Sequence, residues 1–187
     1  MRKIDLSKSW NENDYKIADV IIVNDRMQKG YKYTLTAPLG KDFAENFQPQ
    51  LTPAQMLKYG VFEGKYLNDC TAEFPREWFE KAIDKLSPQV ADISKNYFRI
   101  KSRQPLSEWR RKDWIMMGDP DVRGWFQWYC RYYIGRRDEV LDERQIKRWR
   151  AFCRHLAQVK KNCVAGDLNC RPRQRQAMLQ WAYNPFV

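Results

Sequence analysis

Arginine residues interleaved with aromatic residues form the strongest chemical pattern in this sequence. The pattern occurs in residues 109–112 and 132–137, and residues 171–176 form a third arginine-rich segment that lacks an aromatic residue. A guanidinium group can bind phosphate oxygens through two parallel hydrogen bonds and can also stack on a nucleic-acid base. In the third segment, Arg171 and Arg175 lie one helical turn apart at a predicted helix N-terminus, where free backbone N–H groups also favour an anion. These segments therefore predict phosphate binding.

We expect the phosphate contacts to come from basic side chains in these segments and on the neighbouring helices. The predicted nucleic-acid-binding residues are Arg110, Arg111, Arg131, Arg136, Arg137, Lys147, Arg148, Arg171, Arg173 and Arg175. Trp128, Tyr132 and Tyr133 could stack on unpaired bases, because arginines neighbour them. Two alternatives stay open. The arginines could instead form ion pairs with acidic residues 138–143, and an aromatic stripe at helical spacing is usually buried.

The distribution of charge separates two halves of the chain. The formal net charge is +11, yet residues 1–95 hold 14 basic and 14 acidic side chains, so the whole excess lies in residues 96–187. A concentrated positive charge attracts polyanions because each neutralised phosphate releases counterions. We therefore predict a nucleic-acid-binding protein, with DNA favoured over RNA. The same charge has an alternative explanation. The protein could be an adaptor that binds an acidic protein, for example a phage or host regulator.

Four residues are candidates for acid–base catalysis: Asp69, Asp119, Asp121 and His155. An enzyme acting on DNA bases or nucleotides, by modification or repair, would need one of these carboxylates in a pocket with an arginine and an aromatic wall. The aspartates also precede or start predicted helices, where capping explains them without any chemistry. No glycine-rich phosphate loop is present, which argues against a P-loop or kinase mechanism. Whether the protein is an enzyme stays open.

A structural zinc site is a further alternative, and it would use Cys130, His155, Cys163 and Cys170. Their spacing fits no standard zinc pattern, so we expect no metal there, and no cofactor elsewhere apart from a possible Mg²⁺ on the carboxylates. Five cysteines, an odd number, favour free thiols over a disulfide framework.

Two features of the sequence indicate where in the cell the protein is located. No apolar run approaches the roughly 20 residues that span a bilayer, and the first ten residues lack the apolar stretch of a signal peptide. We therefore expect an intracellular, cytoplasmic protein in a reducing compartment, without a membrane partner. The sequence leaves the oligomeric state undetermined.

The elements that position these residues are mostly helices. Short β-branched runs at residues 19–24 and 31–36 predict a hairpin, and Thr52 with Gln55 forms a capping box for a helix that ends at Gly60. Further helices are predicted from Pro75 to residue 86, and over residues 108–116, 120–134, 138–161 and from Pro172 onward. The fold class is a single compact, mainly α domain with a small N-terminal β hairpin. Residues 1–50 form the extension that carries the hairpin, and residues 51–187 form a basic, Trp-rich helical domain.

The longest motifs also carry a resemblance. They are GWFQWYCRYY at residues 124–133 followed by GRR at 135–137, QIKRW at 145–149, and RPRQRQ at 171–176 followed by QWAY at 180–183, with LTP, GKY and DC upstream at 51–53, 64–66 and 69–70. Together they resemble a family of small proteins found in bacteria, phages and some eukaryotes, over about residues 30–185. That family has no established activity, so the resemblance assigns no catalytic residue. It implies that the Arg-rich and Trp-rich segments belong to one folded unit.

Overall fold

A computed structural model describes residues 4–187. Helix is the dominant regular structure, although many connecting segments are loops or single 3₁₀ turns. The helices are α1 (Pro53–Tyr59), α2 (Arg76–Glu80), α3 (Leu106–Arg111), α4 (Trp125–Ile134), α5 (Glu139–Ala151), α6 (Cys153–Asn162) and α7 (Pro172–Gln180), and the strands are β1 (Val20–Asn24) and β2 (Lys29–Thr34). The 3₁₀ turns are Glu12–Asp14, Phe62–Gly64, Thr71–Glu73, Ile83–Lys85 and Ile93–Lys95. The predicted combination of helices with one small hairpin is confirmed.

The hairpin packs into the same core as the helices. β1 and β2 pair antiparallel, with Ile21 opposite Tyr33, and both side chains are buried on one face of the hairpin. The backbone N–H groups of Thr36 and Ala37 donate to the carbonyl of Gly135, at the end of α4. Gly135 adopts a positive φ of 118°, and a Cβ there would lie 2.1 Å from the Ala37 carbonyl oxygen. Only glycine allows this close approach of the chain after β2 to the helix end.

Helix α1 begins as the sequence predicts. The Thr52 side chain accepts a hydrogen bond from the Gln55 N–H, and the Gln55 side chain accepts one from the Thr52 N–H. Pro53 occupies the first helical turn, and Gly60 ends the helix. This local pattern is sufficient to determine where α1 begins, because both hydrogen bonds satisfy backbone N–H groups that the helix leaves unpaired.

Helix α4 runs through the centre of the protein. All of its side chains except Tyr133 are buried, and its aromatic rings pack against rings from several loops. Phe47, for example, makes edge-on contacts with Tyr129, Tyr132 and Trp149 at centroid distances of 5.6, 5.4 and 4.9 Å. A helix with apolar contacts on nearly every side must lie inside the domain.

Four predicted helices differ from the structure. The helix predicted from Pro75 to residue 86 spans Arg76–Glu80, and the one predicted at 108–116 spans Leu106–Arg111. α4 begins at Trp125 and not at Pro120, because the segment before it turns to place Asp121 and Arg123 in buried ion pairs. The long helix predicted over 138–161 breaks at Phe152, whose ring stacks on Trp181 with centroids 4.1 Å apart. This tertiary contact overrides local helix propensity.

Within residues 4–187, none of the helices combines the length and the apolar character that a membrane crossing requires.

Candidate functional site

Three of the predicted phosphate-binding arginines lie in the protein interior. The exposed fractions of Arg131, Arg136 and Arg175 are 0%, 3% and 0%. A side chain that solvent cannot reach cannot contact a phosphate on a partner, so the prediction is wrong for these three. Their roles are found inside the fold.

Arg131 and Arg136 belong to a buried ion network. Arg131 donates to both carboxylate oxygens of Glu73 and to Asp121, and Arg136 makes two hydrogen bonds of 2.8 Å to Asp121. The Tyr33 hydroxyl donates to Glu73 at 2.8 Å. Burial alone would lower the pKa of both arginines, but the neighbouring carboxylates outweigh it and raise each pKa above its ordinary value. Both guanidinium groups are therefore charged and compensated within the core.

Arg175 holds the start of α7 against two neighbouring segments. Its guanidinium donates to the carbonyls of Cys170 and Asp167 at 2.8 and 3.0 Å, and to those of Pro185 and Val187 further along the chain. Because four N–H donors of this side chain meet backbone carbonyls, the residue acts as an internal clamp. It is not the phosphate ligand that its spacing from Arg171 predicts.

Arg137 and Arg148 are half-buried and bind their own chain. Arg137 lies 3.8 Å over the Tyr132 ring and donates to backbone carbonyls, including that of Lys41. Arg148 lies over the rings of Trp109 and Trp181 and donates to the Trp114 carbonyl at 2.7 Å. Burial lowers the pKa of Arg148 to about 10, so it keeps its charge at neutral pH. Arg137 donates from both of its Nη groups, whereas the hydrogen bonds of Arg148 to the described residues come from Nη1 alone.

The predicted stacking residues are mainly core residues. Trp128 and Tyr132 are buried. The Trp128 indole donates to Asp142 at 2.7 Å, and the Tyr132 hydroxyl accepts from the Ala44 N–H at 3.0 Å. The stacking prediction is therefore wrong for these two, and the buried-stripe alternative describes them. Tyr133 is half-buried beside Trp78, at a centroid distance of 5.7 Å.

The remaining five predicted basic residues are exposed: Arg110, Arg111, Lys147, Arg171 and Arg173. Arg111 pairs with Glu108 at 2.7 Å on the surface of α3. Four further exposed cations extend from the end of α5 along α6, namely Arg150, Arg154, Lys160 and Lys161. These four residues were not among the predicted phosphate contacts, and three of them, Arg154, Lys160 and Lys161, have no Phe, Tyr or Trp residue directly beside them in the sequence. We call residues 147–173 the cationic segment. It holds seven exposed cations, one acidic residue (Asp167), and no ion pair to any of the residues 4–187.

A cavity of about 620 Å³ opens between the hairpin, the loop after α1 and the end of α7. One wall is aromatic and contains Phe62, Tyr66, Trp109, Trp125, Phe126 and Trp181. Tyr66 and Trp109 are half-buried, so solvent reaches part of each residue. Basic residues Lys8, Arg26, Lys65 and Arg103 also line the cavity.

Arg123 with two aspartates forms the charged wall of this cavity. The guanidinium makes two hydrogen bonds of 3.1 Å to the Asp25 carboxylate and one of 3.0 Å to Asp69 Oδ2. Burial opposes ionisation of Asp25, but hydrogen bonds from Arg123 and from two backbone N–H groups outweigh it and lower the pKa of this carboxyl. No sequence motif could have paired Asp25 with Arg123, which lie 98 residues apart.

The four catalytic candidates lie in different places. Asp69 lines the cavity and its side chain is 42% exposed. Asp121 is buried between Arg131 and Arg136, and Asp119 pairs with Arg144. His155 is half-buried on α6 against the Phe152 ring, and burial lowers its pKa. The structure therefore brings only Asp69 of these four to the cavity.

The zinc alternative is wrong for this structure. Cys163 and Cys170 form a disulfide that joins α6 to α7, so neither offers a thiolate, and Cys130 is buried on α4. The expectation of free thiols is also wrong for this pair. A disulfide favours an oxidising environment, in contrast with the predicted reducing compartment.

One other group of potential metal ligands occurs among residues 4–187. Ligand atoms of Asp25, Cys70 and Glu73 lie within 4.8 Å of one another. However, Arg123 and Arg131 already neutralise the two carboxylates, and burial raises the pKa of the Cys70 thiol well above its ordinary value. A neutral thiol between two compensated carboxylates gives a cation little to bind.

Comparisons with known proteins give no relative. No family model, no curated protein and no solved structure matches this chain. The resemblance indicated by the long motifs therefore stays a prediction.

Proposed function

We propose that this protein binds nucleic acid, with DNA favoured over RNA, through the cationic segment. The observation that carries the proposal is the excess of seven exposed cations over a single acidic residue in residues 147–173. None of those cations pairs with a carboxylate of the described chain. Exposed cations without a carboxylate partner repel one another, and a polyanion relieves this repulsion. Each phosphate that such a cation neutralises also releases counterions condensed on the nucleic acid, which favours binding.

The local geometry of α7 adds a second contribution. Arg171 and Arg173 are exposed at the first turn of this helix, which follows Arg171 directly. The first N–H groups of a helix lack partners within it and carry partial positive charge. A phosphate at this point would meet two guanidinium groups together with these backbone donors.

The test is a binding titration at two salt concentrations. We would measure fluorescence anisotropy of labelled duplex DNA, single-stranded DNA and duplex RNA at about 50 and 200 mM salt. With five or more phosphate contacts, affinity should fall roughly 100-fold or more between these conditions. A salt-independent interaction, or none, would sink the proposal.

An acidic protein partner would use the same charges, so the titration includes polyglutamate as a competitor. Displacement of DNA only at polyglutamate charge concentrations well above those of the phosphates supports nucleic acid as the partner. Tighter binding of polyglutamate than of DNA at equal ionic strength would instead favour the adaptor function.

An enzyme acting on bases or nucleotides is the second candidate function, and the cavity is the observation that favours it. The cavity combines a carboxylate, an arginine and an aromatic wall in Asp69, Arg123 and Trp109. These are the components that such a site requires.

A further inference from the structure

We propose that the cavity is a binding site for a nucleoside phosphate moiety whose base carries an amino group. In this arrangement the base lies against Trp109 and Tyr66, its amino group donates to Asp69, and its phosphate meets Lys8 and Arg26. This site is separate from the cationic segment and does not depend on it. The moiety could be a free nucleotide or one unstacked nucleotide of a strand, since both present the same chemistry.

The size of the cavity fits such a ligand. Its volume of about 620 Å³ lies within the range of roughly 300–1,000 Å³ typical of small-molecule and cofactor sites. The lining is mixed and contains both aromatic rings and charged groups. Sites of this composition bind a flat apolar group and fix its orientation through a few polar contacts.

The aromatic wall is held rigid by packing behind it. Trp109 is stacked on Trp181 at a centroid distance of 6.1 Å, and Trp181 is stacked on Trp125 at 4.7 Å. Tyr66 packs on Phe62 at 4.6 Å. Rings whose orientation is fixed in advance provide a stacking surface for a base without an ordering cost at binding.

The charged wall favours a hydrogen-bond donor. Arg123 balances one of the two carboxylates of Asp25 and Asp69, so the group carries an excess negative charge. Asp69 Oδ2 accepts from Arg123, whereas Asp69 Oδ1 and the Tyr66 hydroxyl have no hydrogen-bond partner among residues 4–187. An amino group on cytosine, adenine or guanine can donate to the free carboxylate oxygen, as carboxylates do with the cytosine amino group. Uracil lacks that group.

The remaining cations of the lining favour an anionic end on the same ligand. Lys8 and Arg26 are exposed, line the cavity, and form no ion pair with any of the described residues. Lys65 donates to the carbonyls of Pro88 and Gln89, and Arg103 pairs with Glu63. Two cations are thus left for a phosphate, and this combination of donor, ring and anion is that of an amino-bearing nucleotide.

The experiment is isothermal titration calorimetry of the full chain with CMP, GMP, UMP, cytidine and choline, and with an oligocytidylate of five nucleotides. We expect CMP or GMP to bind at least 10-fold more tightly than UMP and than choline. Cytidine should bind at least 10-fold more weakly than CMP because it lacks the phosphate. Binding of CMP indicates a free nucleotide as the source. Binding of the oligonucleotide alone indicates a nucleotide within a strand only if the double variant Lys8→Ala with Arg26→Ala removes it, because the cationic segment would otherwise account for it.

Two variants assign the contacts. Asp69→Asn should remove the preference for CMP over UMP, whereas Asp84→Asn, an exposed control outside the cavity lining, should keep it. The double variant Lys8→Ala with Arg26→Ala should lower CMP affinity to that of cytidine, and it tests the site even if Asp69→Asn fails to fold. Absence of binding by every nucleotide and by the oligonucleotide, equal affinity for CMP and UMP, or tighter binding of choline would overturn the proposal.

Discussion

The buried arginines Arg131 and Arg136 and the exposed cations of the cationic segment illustrate two uses of basic side chains. In the core, Arg131 and Arg136 each lie within hydrogen-bond distance of a carboxylate. In residues 147–173, none of the seven exposed cations has such a partner within the described chain. The partner of an arginine, more than its neighbours in sequence, therefore separates a structural role from a binding role.

The largest expected effect comes from the buried region. Arg131→Met should destabilise the protein by about 3–5 kcal/mol, because it leaves the buried Glu73 without its compensating charge. Arg150→Met, an exposed control on α5, should change stability by no more than about 0.5 kcal/mol. Urea unfolding measures both, and equal effects of the two substitutions would contradict the distinction.

The next effect concerns binding by the exposed region. A variant with Lys160, Lys161, Arg171 and Arg173 all changed to alanine should bind duplex DNA about 100-fold more weakly. The slope of log affinity against log salt concentration should also fall in magnitude by roughly three to four. The matched control replaces four cations of the first 95 residues, Lys32, Lys58, Lys81 and Lys85. Equal losses in both variants would show that only net charge matters.

The disulfide tests how the exposed region is held in place. Changing both Cys163 and Cys170 to serine should cost about 2 kcal/mol of stability, since it frees the short connection between α6 and α7. Cys153→Ser, at an exposed free thiol, is the control and should have little effect. Unfolding curves with and without reductant provide the measurement, and reductant should leave the double variant unchanged.

The smallest effect is a pH dependence in the wall of the cavity. Since the folded-state pKa of Asp25 is lowered, its stabilising contribution is present above the unfolded-state pKa of about 3.9 and is lost as pH falls through the folded-state value. Asp25→Asn should therefore reduce stability at pH 7 and flatten the acid limb of the stability curve. An acid limb as steep as that of the unmodified protein would argue against this pairing.

Local signals in the sequence predicted the elements that local interactions determine. The capping box at Thr52 and the alternation in the hairpin are examples, because neighbouring residues satisfy their backbone groups. The break at Phe152 could not be predicted, since the Phe152 ring stacks on Trp181, which directly follows α7 and is distant in sequence. Long-range contacts of this kind decide where a marginal helix ends.

The candidate sites were predicted less well, for a related reason. Arg131 is 58 residues from Glu73, and Arg123 is 98 residues from Asp25, so no spacing pattern reveals that these arginines are paired. The excess charge of the C-terminal half did indicate exposed cations, but it could not distinguish Arg175, which binds carbonyls inside the fold, from Arg171 on the surface. Asp69 was a candidate because it is a carboxylate, and its position in the cavity lining is determined by the fold.

The most direct test of the central claim is chemical protection of basic side chains by bound DNA. Lysines and arginines of the full chain would be modified with and without duplex DNA and quantified by mass spectrometry. We expect protection of Lys147, Lys160, Lys161 and Arg171, with the exposed Lys58 and Lys81 unchanged. Protection confined to residues outside 147–173, or spread evenly over all exposed lysines, would contradict it.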